Sequence, residues 1–316
     1  MLVLWLGDTH SDEVHLTGGK GASLSRMVRA GLPVPPGFVV TSRAYREALA
    51  SVPGWDSVCE ELQRACDQDL PLLSRATQKA REAILAAAMP PAVAERVAEA
   101  YRRLGGGSAS VAVRSSATAE DLEGASFAGQ QETFLHVCGE SEVQDCIRKC
   151  WASLFTERAV FYRHRRGFAP DGVAMAVVVQ RMVRAEKAGV MFTVNPVTRD
   201  PGQVMLEAVW GLGEAVVSGL VTPDNYLLDK GSGAELSAYV PAKEVMITHR
   251  EDGQGCATRE VPPQLRECRV LSPEELRQLW QLGRRLEEYF RRPQDVEWCF
   301  EGGCLWALQS RPVTTV

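Results

Sequence analysis

No apolar run in this chain is long enough to cross a bilayer as a helix, which excludes a helical membrane span. The opening MLVLWLGDTH carries no basic leader, so it reads as a first strand rather than a signal peptide. None of the nine cysteines forms a Cys-x-x-Cys pair, and no Cys/His cluster has the spacing of a zinc site. Free thiols in a reducing cytoplasm are expected. Positive charge is not in excess either: 35 Lys and Arg face 40 Asp and Glu, a formal net charge of −5, so nothing draws the chain to nucleic acid or an anionic membrane. The short basic run Tyr162 to Arg166 reads as the solvated end of a helix, its cations facing the C-terminal dipole. The acids Glu120, Asp121 and Glu123 read as loop solvation, since no matched acid/base pair accompanies them.

What is present is an ordinary globular composition, 45% hydrophobic and 24% charged, over 316 residues. That length is large for one core and predicts two lobes, residues 1–182 and 183–316, with the seam near residues 181 to 190. Strands are expected at Phe38 to Thr41, Ser110 to Arg114, Gln130 to Val137, Val173 to Met182, Ala188 to Val194, Gln203 to Trp210, Asn225 to Asp229 and Val245 to Thr248. Helices are expected from Gly18 through Met27, from Ser42, over residues 56 to 104, and as one long helix from Ser141 through Tyr162. Residues 230 to 270 read as loop-rich. Ser272-Pro273-Glu274-Glu275 is a capping box with proline at the first helical position, opening a helix to Phe290. Helices and strands mix without strict β-α-β alternation, which makes the fold class α+β.

The stretch Asp295 to Pro312, DVEWCFEGGCLWALQSRP, reads as a hairpin of two alternating runs meeting at Gly302-Gly303. A two-residue turn would pair Glu301 with Cys304 and put Glu297 and Gln309 on opposite faces. A three-residue turn, Gly302 to Cys304, pairs Glu301 with Leu305. It sets Trp298 against Leu308 and Phe300 against Trp306 on one apolar side, and gathers Asp295, Glu297, Gln309 and Arg311 on the other. The second register is preferred because it alone collects the polar groups. A carboxylate, an amide oxygen and a guanidinium on one face suit a magnesium-bound polyphosphate: Mg²⁺ takes hard oxygen ligands, and arginine grips phosphate with a planar fork.

Two further stretches carry anion chemistry. Gly18-Gly19-Lys20-Gly21 precedes a helix, where bare backbone and a helix start favour a phosphate, although the spacing is not that of a P-loop. Val111 to Gln131, VAVRSSATAEDLEGASFAGQQ, takes Arg114 from a strand into a loop whose Ser115, Ser116 and Thr118 can bond phosphate oxygens.

The segments GGKGASL, GLPVPPGFVVT, VAVRSSATAEDLEGASFAGQQETFL, CWASLFTERAVFYR, AGVMFTVNPVT, WGLGEAVVSGLVTPD and DVEW…LQSRP span most of the chain. Together they closely resemble the ATP-binding domain of the phosphoenolpyruvate synthase, pyruvate phosphate dikinase and rifampin phosphotransferase family. The resemblance implies an ATP-grasp-type fold with ATP bound in the cleft between two lobes. It implies Lys20, Arg114 and Arg311 as phosphate-binding cations with a catalytic part. By the same resemblance Gly129 and Thr133 are ATP contacts, Gln180 a contact on the base or ribose side, and Glu297 and Gln309 the Mg²⁺ ligands. The activity implied passes the β-phosphoryl of ATP to a histidine on a separate swivelling domain, leaving AMP and phosphate.

None of His10, His15, His136, His164 and His249 has the glycine-rich setting of such a histidine. A phosphohistidine domain and an acceptor-binding domain are therefore expected elsewhere, in cis or as separate subunits. The alternatives are an ATP-grasp carboxylate ligase, which would release ADP, and a non-catalytic ATP-binding regulatory subunit. The final acceptor is not written in these residues.

Overall fold

Glycine and proline placement decides how the first third of the chain folds. The structure, a computed structural model, describes residues 1–66, 70–118, 132–168, 172–250 and 255–314. Strand β1 (Val3–Trp5) leads to helix α1 (Val14–Arg29), which is interrupted at Gly18, where φ is +69°. Strand β2 (Gly37–Val40) and helices α2 (Ser42–Ala50), α3 (Trp55–Cys66), α4 (Leu70–Ala86) and α5 (Pro91–Gly105) follow. Helix α5 opens on its proline and closes on Gly106 in the left-handed conformation, as the two motifs predict. Strands β3 (Val111–Ala117) and β4 (Thr133–Val137) precede α6 (Glu140–Ser153) and α7 (Glu157–Arg165). The single helix expected over Ser141 to Tyr162 is thus two. The chain leaves α6 at Leu154, and Thr156 re-caps it, accepting from the amide of Ala159. Strand β5 (Met175–Arg181) completes an antiparallel sheet ordered β1-β2-β5-β3-β4. One face, with Phe38, Val40, Val111, Val113, Val177 and Val179, buries against the helices around Tyr45, Trp151 and Phe155. The expected cap at Ser42 is displaced by one residue: Thr41 is the cap position, without a side-chain cap bond.

The second sheet has six strands: β6 (Lys187–Phe192), β7 (Gln203–Trp210), β8 (Asp224–Asp229), β9 (Glu235–Tyr239), β12 (Gln294–Glu301) and β13 (Cys304–Pro312), in the order β13-β12-β6-β7-β8-β9. The short helix α8 (Glu214–Val217) follows β7, and β10 (Val245–His249) pairs with β11 (Cys256–Glu260) as a separate ribbon. Residues 230 to 270, read as loop-rich, therefore hold β9, β10 and β11. The exposed, mixed character of β9 and β11 hid them from a hydrophobicity argument. Helix α9 (Pro273–Phe290) opens with the predicted capping box, Ser272 and Glu275 bonding each other's backbone amides. It buries Leu276, Leu279, Leu282 and Leu286, and Gly283 lets Met191 of β6 approach.

By contacts the chain divides into two units. One takes Met1–Ser25 and Pro36–Met182; the other takes Arg26–Pro35 and Val183–Val316. Among the described residues no helix is long and apolar enough to cross a membrane.

Candidate functional site

In the first unit, Gly18 sets the position of Lys20. A Cβ on Gly18 would lie 2.2 Å from the Ser116 carbonyl oxygen, so only glycine lets α1 rest its backbone on β3. Ser116 fastens the contact. Its Oγ donates to the Thr17 carbonyl at 2.8 Å and accepts from the Gly21 amide at 3.1 Å. Lys20 follows on the restarted helix, 7% exposed, with Nζ donating to the Ser115 carbonyl at 3.1 Å.

Strand alternation then places the other residues of this unit. Arg114 is directly opposite Thr133, and Gln180 is directly opposite both Ala112 and Gly37. Opposed residues share a face, so Arg114, Thr133 and Gln180 lie with Ser116 on the face that α1 covers, away from the helical core. Gln180 is buried and Thr133 exposed. Gly129 lies outside the described residues.

In the second unit the hairpin β12–β13 pairs Asp295 with Arg311 and Glu297 with Gln309, as the preferred register requires. Nearer the turn that register is wrong. Gly302 and Gly303, at φ +56° and +77°, make a two-residue turn, so Glu301 opposes Cys304, Phe300 opposes Leu305 and Trp298 opposes Ala307. Leu308 has no opposite number. It is a bulge, and the extra residue restores the pairing of Glu297 with Gln309. The correction moves Trp306 and Leu308 off the face of Trp298. They pack with Val183, Ala185, Ala188 and Cys299 on the same side as Glu297. Burial, then Glu301, pushes the Cys299 thiol up to about 12, so it serves as an apolar group and not a nucleophile.

This face therefore has an apolar end and a polar end. Arg311 Nε donates to Asp295 Oδ2 at 2.8 Å. Burial raises the Asp295 pKa, Arg311 opposes the rise and Glu297 adds to it. The registers also bring in residues that the sequence reading missed. Glu297 opposes Val190, Val190 opposes Glu207, and Glu207 opposes Asn225, one row across four strands that continues to Gln309. Burial, then Asp295, raises the Glu207 pKa. The available signal was a lone glutamate inside the apolar strand VMLEAVW.

A second missed feature is the ion pair of Lys243 with Asp224, whose side chains are 1% and 0% exposed. Asp224 also accepts from Tyr226 Oη and the Val270 amide, both at 2.7 Å. This cluster anchors the chain between β8 and α9.

Residues 14–316 match the profile of the pyruvate phosphate dikinase AMP/ATP-binding domain. The chain belongs to that family. It is 46% identical to a probable phosphoenolpyruvate synthase of Methanothermobacter thermautotrophicus, across 99% of this chain and 46% of that protein. It is equally, 46%, identical to a probable phosphoenolpyruvate synthase of Archaeoglobus fulgidus, across 100% of this chain and 42% of the other. It is 38% identical to a rifampicin phosphotransferase of Bacillus cereus, across 99% of this chain and 36% of the other. The chain thus spans less than half the length of these curated relatives.

Proposed function

We propose that this chain is the MgATP-binding part of a dikinase-type phosphotransferase. One observation carries the reading most: Glu297 opposite Gln309, and Asp295 opposite Arg311, on a single sheet face. Membership of the AMP/ATP-binding domain family supports ATP as the ligand. The proposed arrangement is ATP-grasp-type, one ATP being taken by Lys20, Arg114, Thr133 and Gln180 of the first unit and by Glu297, Gln309 and Arg311 of the second. Gly129 joins them by resemblance.

The donor set fits magnesium. Among the described residues no three His, Cys, Asp or Glu gather closely enough to hold an ion unaided. A carboxylate and an amide oxygen, completed by phosphate and water, is the form Mg²⁺ takes in nucleotide sites. Glu297 and Gln309 would hold it, and bound there it would neutralise charge on the polyphosphate. Phosphoryl transfer needs mostly positioning and charge neutralisation. Lys20, held almost wholly out of solvent against Ser115, presents a compact charge. Arg311, braced by the buried Asp295, presents an oriented guanidinium. The apolar end around Trp306 and Leu308 excludes water beside the polar end.

The β-phosphoryl then passes to a histidine on another domain or subunit, with AMP and phosphate as products and water accounting for the freed phosphate. A further domain binds the final acceptor. The names of the relatives favour pyruvate or a rifamycin-type antibiotic as acceptor classes.

The test uses ATP labelled at the β-phosphorus, with and without a histidine-bearing domain taken from one of the longer relatives. Label on the added domain, together with AMP, is expected, and no stable label on His10, His15, His136, His164 or His249 of this chain. Release of ADP without label transfer would instead indicate a ligase-type reaction.

A further inference from the structure

We infer that Glu207 is a positioning residue for the nucleotide-bound cation, holding it through a metal-bound water from the strand two away from Glu297. The inference rests on the proposed role of Glu297 and Gln309.

Three observations lead to it. The first is register: Gln309, Glu297, Val190, Glu207 and Asn225 stand in one row across five strands, so all five side chains leave the sheet on the same side. The residue between the two glutamates is Val190, which has no polar group to pair with either. The second is charge. Glu207, Asp295 and Glu297 make three carboxylates on this face. Among the described residues Arg311 pairs with Asp295, while the Glu207 carboxylate has no hydrogen bond or ion pair with a protein group. A half-buried carboxylate left without a protein cation, beside another carboxylate, is unfavourable unless a cation arrives with the ligand.

The third is spacing. Neighbouring strands lie about 4.8 Å apart, so Glu207 and Glu297 spring from backbones about 9.6 Å apart. If both carboxylates chelated one Mg²⁺ at about 2.1 Å each, their oxygens would have to converge to roughly 4 Å or less. A path from Glu297 through the ion and one of its waters to Glu207 adds a hydrogen bond of about 2.7 Å and spans the gap with little bending. Mg²⁺ keeps several waters in nucleotide sites, so a water is available for Glu207 to orient. This also accords with the lack of a three-carboxylate cage among the described residues.

The experiment compares the parent protein with Glu207→Gln and Glu297→Gln by calorimetric titration, with ATP plus Mg²⁺ and with ATP plus a chelator. Thermal melts are run without ligand. For Glu207→Gln we expect MgATP binding weakened about ten- to a hundredfold, as for the loss of a partner that orients a metal's ligands, and metal-free ATP binding unchanged. Its ligand-free melting temperature should equal or exceed the parent's, because an unpaired charge has been removed. MgATP binding like the parent's by Glu207→Gln, with Glu297→Gln impaired, overturns the inference and leaves the Glu297 site standing. Parent-like binding by both variants overturns both. Equal weakening with and without metal overturns the inference, because the role would not pass through the cation. Failure of Glu207→Gln to fold also overturns it, since the carboxylate would then be a structural necessity.

Discussion

Asp295 and Arg311 stand directly opposite each other across β12 and β13, and the Arg311 Nε donates to Asp295 Oδ2 at 2.8 Å. The partners differ in setting: the Asp295 side chain is 11% exposed and that of Arg311 is 65% exposed. A buried anion therefore aims a solvent-facing guanidinium. Lysine at 311 would keep the charge but lose both the fork and the Nε contact. Arg311→Lys should weaken MgATP binding by about 1.5–3 kcal/mol, the cost of a charge-assisted contact, as measured by calorimetry.

The Lys243–Asp224 pair gives a stability prediction. Both side chains are buried, and Asp224 is further bonded by Tyr226 and the Val270 amide. Lys243→Met removes the cation and leaves the carboxylate unpaired, which typically costs about 3–5 kcal/mol. Urea unfolding should show it. Adding Asp224→Asn should recover part of the loss, because the stranded charge is then gone.

Glu275 gives a pH prediction. Burial pushes its pKa up, but Lys187, whose Nζ donates to both carboxylate oxygens, and the capping contacts with Ser272 outweigh this and leave it lowered. A lowered folded-state pKa makes the stabilisation complete above the ordinary glutamate range and lost as pH falls through the folded value. Glu275→Gln should therefore be less stable than the parent at pH 7, by about 2 kcal/mol, as measured by urea unfolding. The difference should shrink as pH drops below about 4.3, the ordinary glutamate value.

The candidate site was legible where strand period alone decides geometry. Alternation in DVEW and LQSRP was enough to oppose Glu297 with Gln309 and Asp295 with Arg311. The turn end was not legible. Gly302-Gly303 is itself the signature of a two-residue turn, but a two-residue turn plus a bulge at Leu308 gives the same polar pairing as a three-residue turn, and nothing in the sequence marks that bulge. Glu207 and the Asp224–Lys243 pair escaped for a different reason. Their partners are remote in the chain, and only sheet order β13-β12-β6-β7-β8 brings the Glu207 row together. The break between α6 and α7 was hidden because Trp151, Leu154 and Phe155 continue an apolar stripe across it, all of them buried. Strands β9 and β11 were hidden because they lack such a stripe.

The most direct test is calorimetric titration of MgATP into the parent protein, into Glu297→Ala, and into a Lys20→Ala/Arg114→Ala double variant, with a thermal melt of each. The parent should bind MgATP. Glu297→Ala should lose at least about tenfold in affinity, a cost near 1.4 kcal/mol, while keeping a near-parental melt because Glu297 is only partly buried and stands outside the apolar core. The double variant should lose more, having lost two cations. MgATP binding by all three proteins with the parent's affinity would place the phosphates elsewhere and reduce the hairpin to a structural edge.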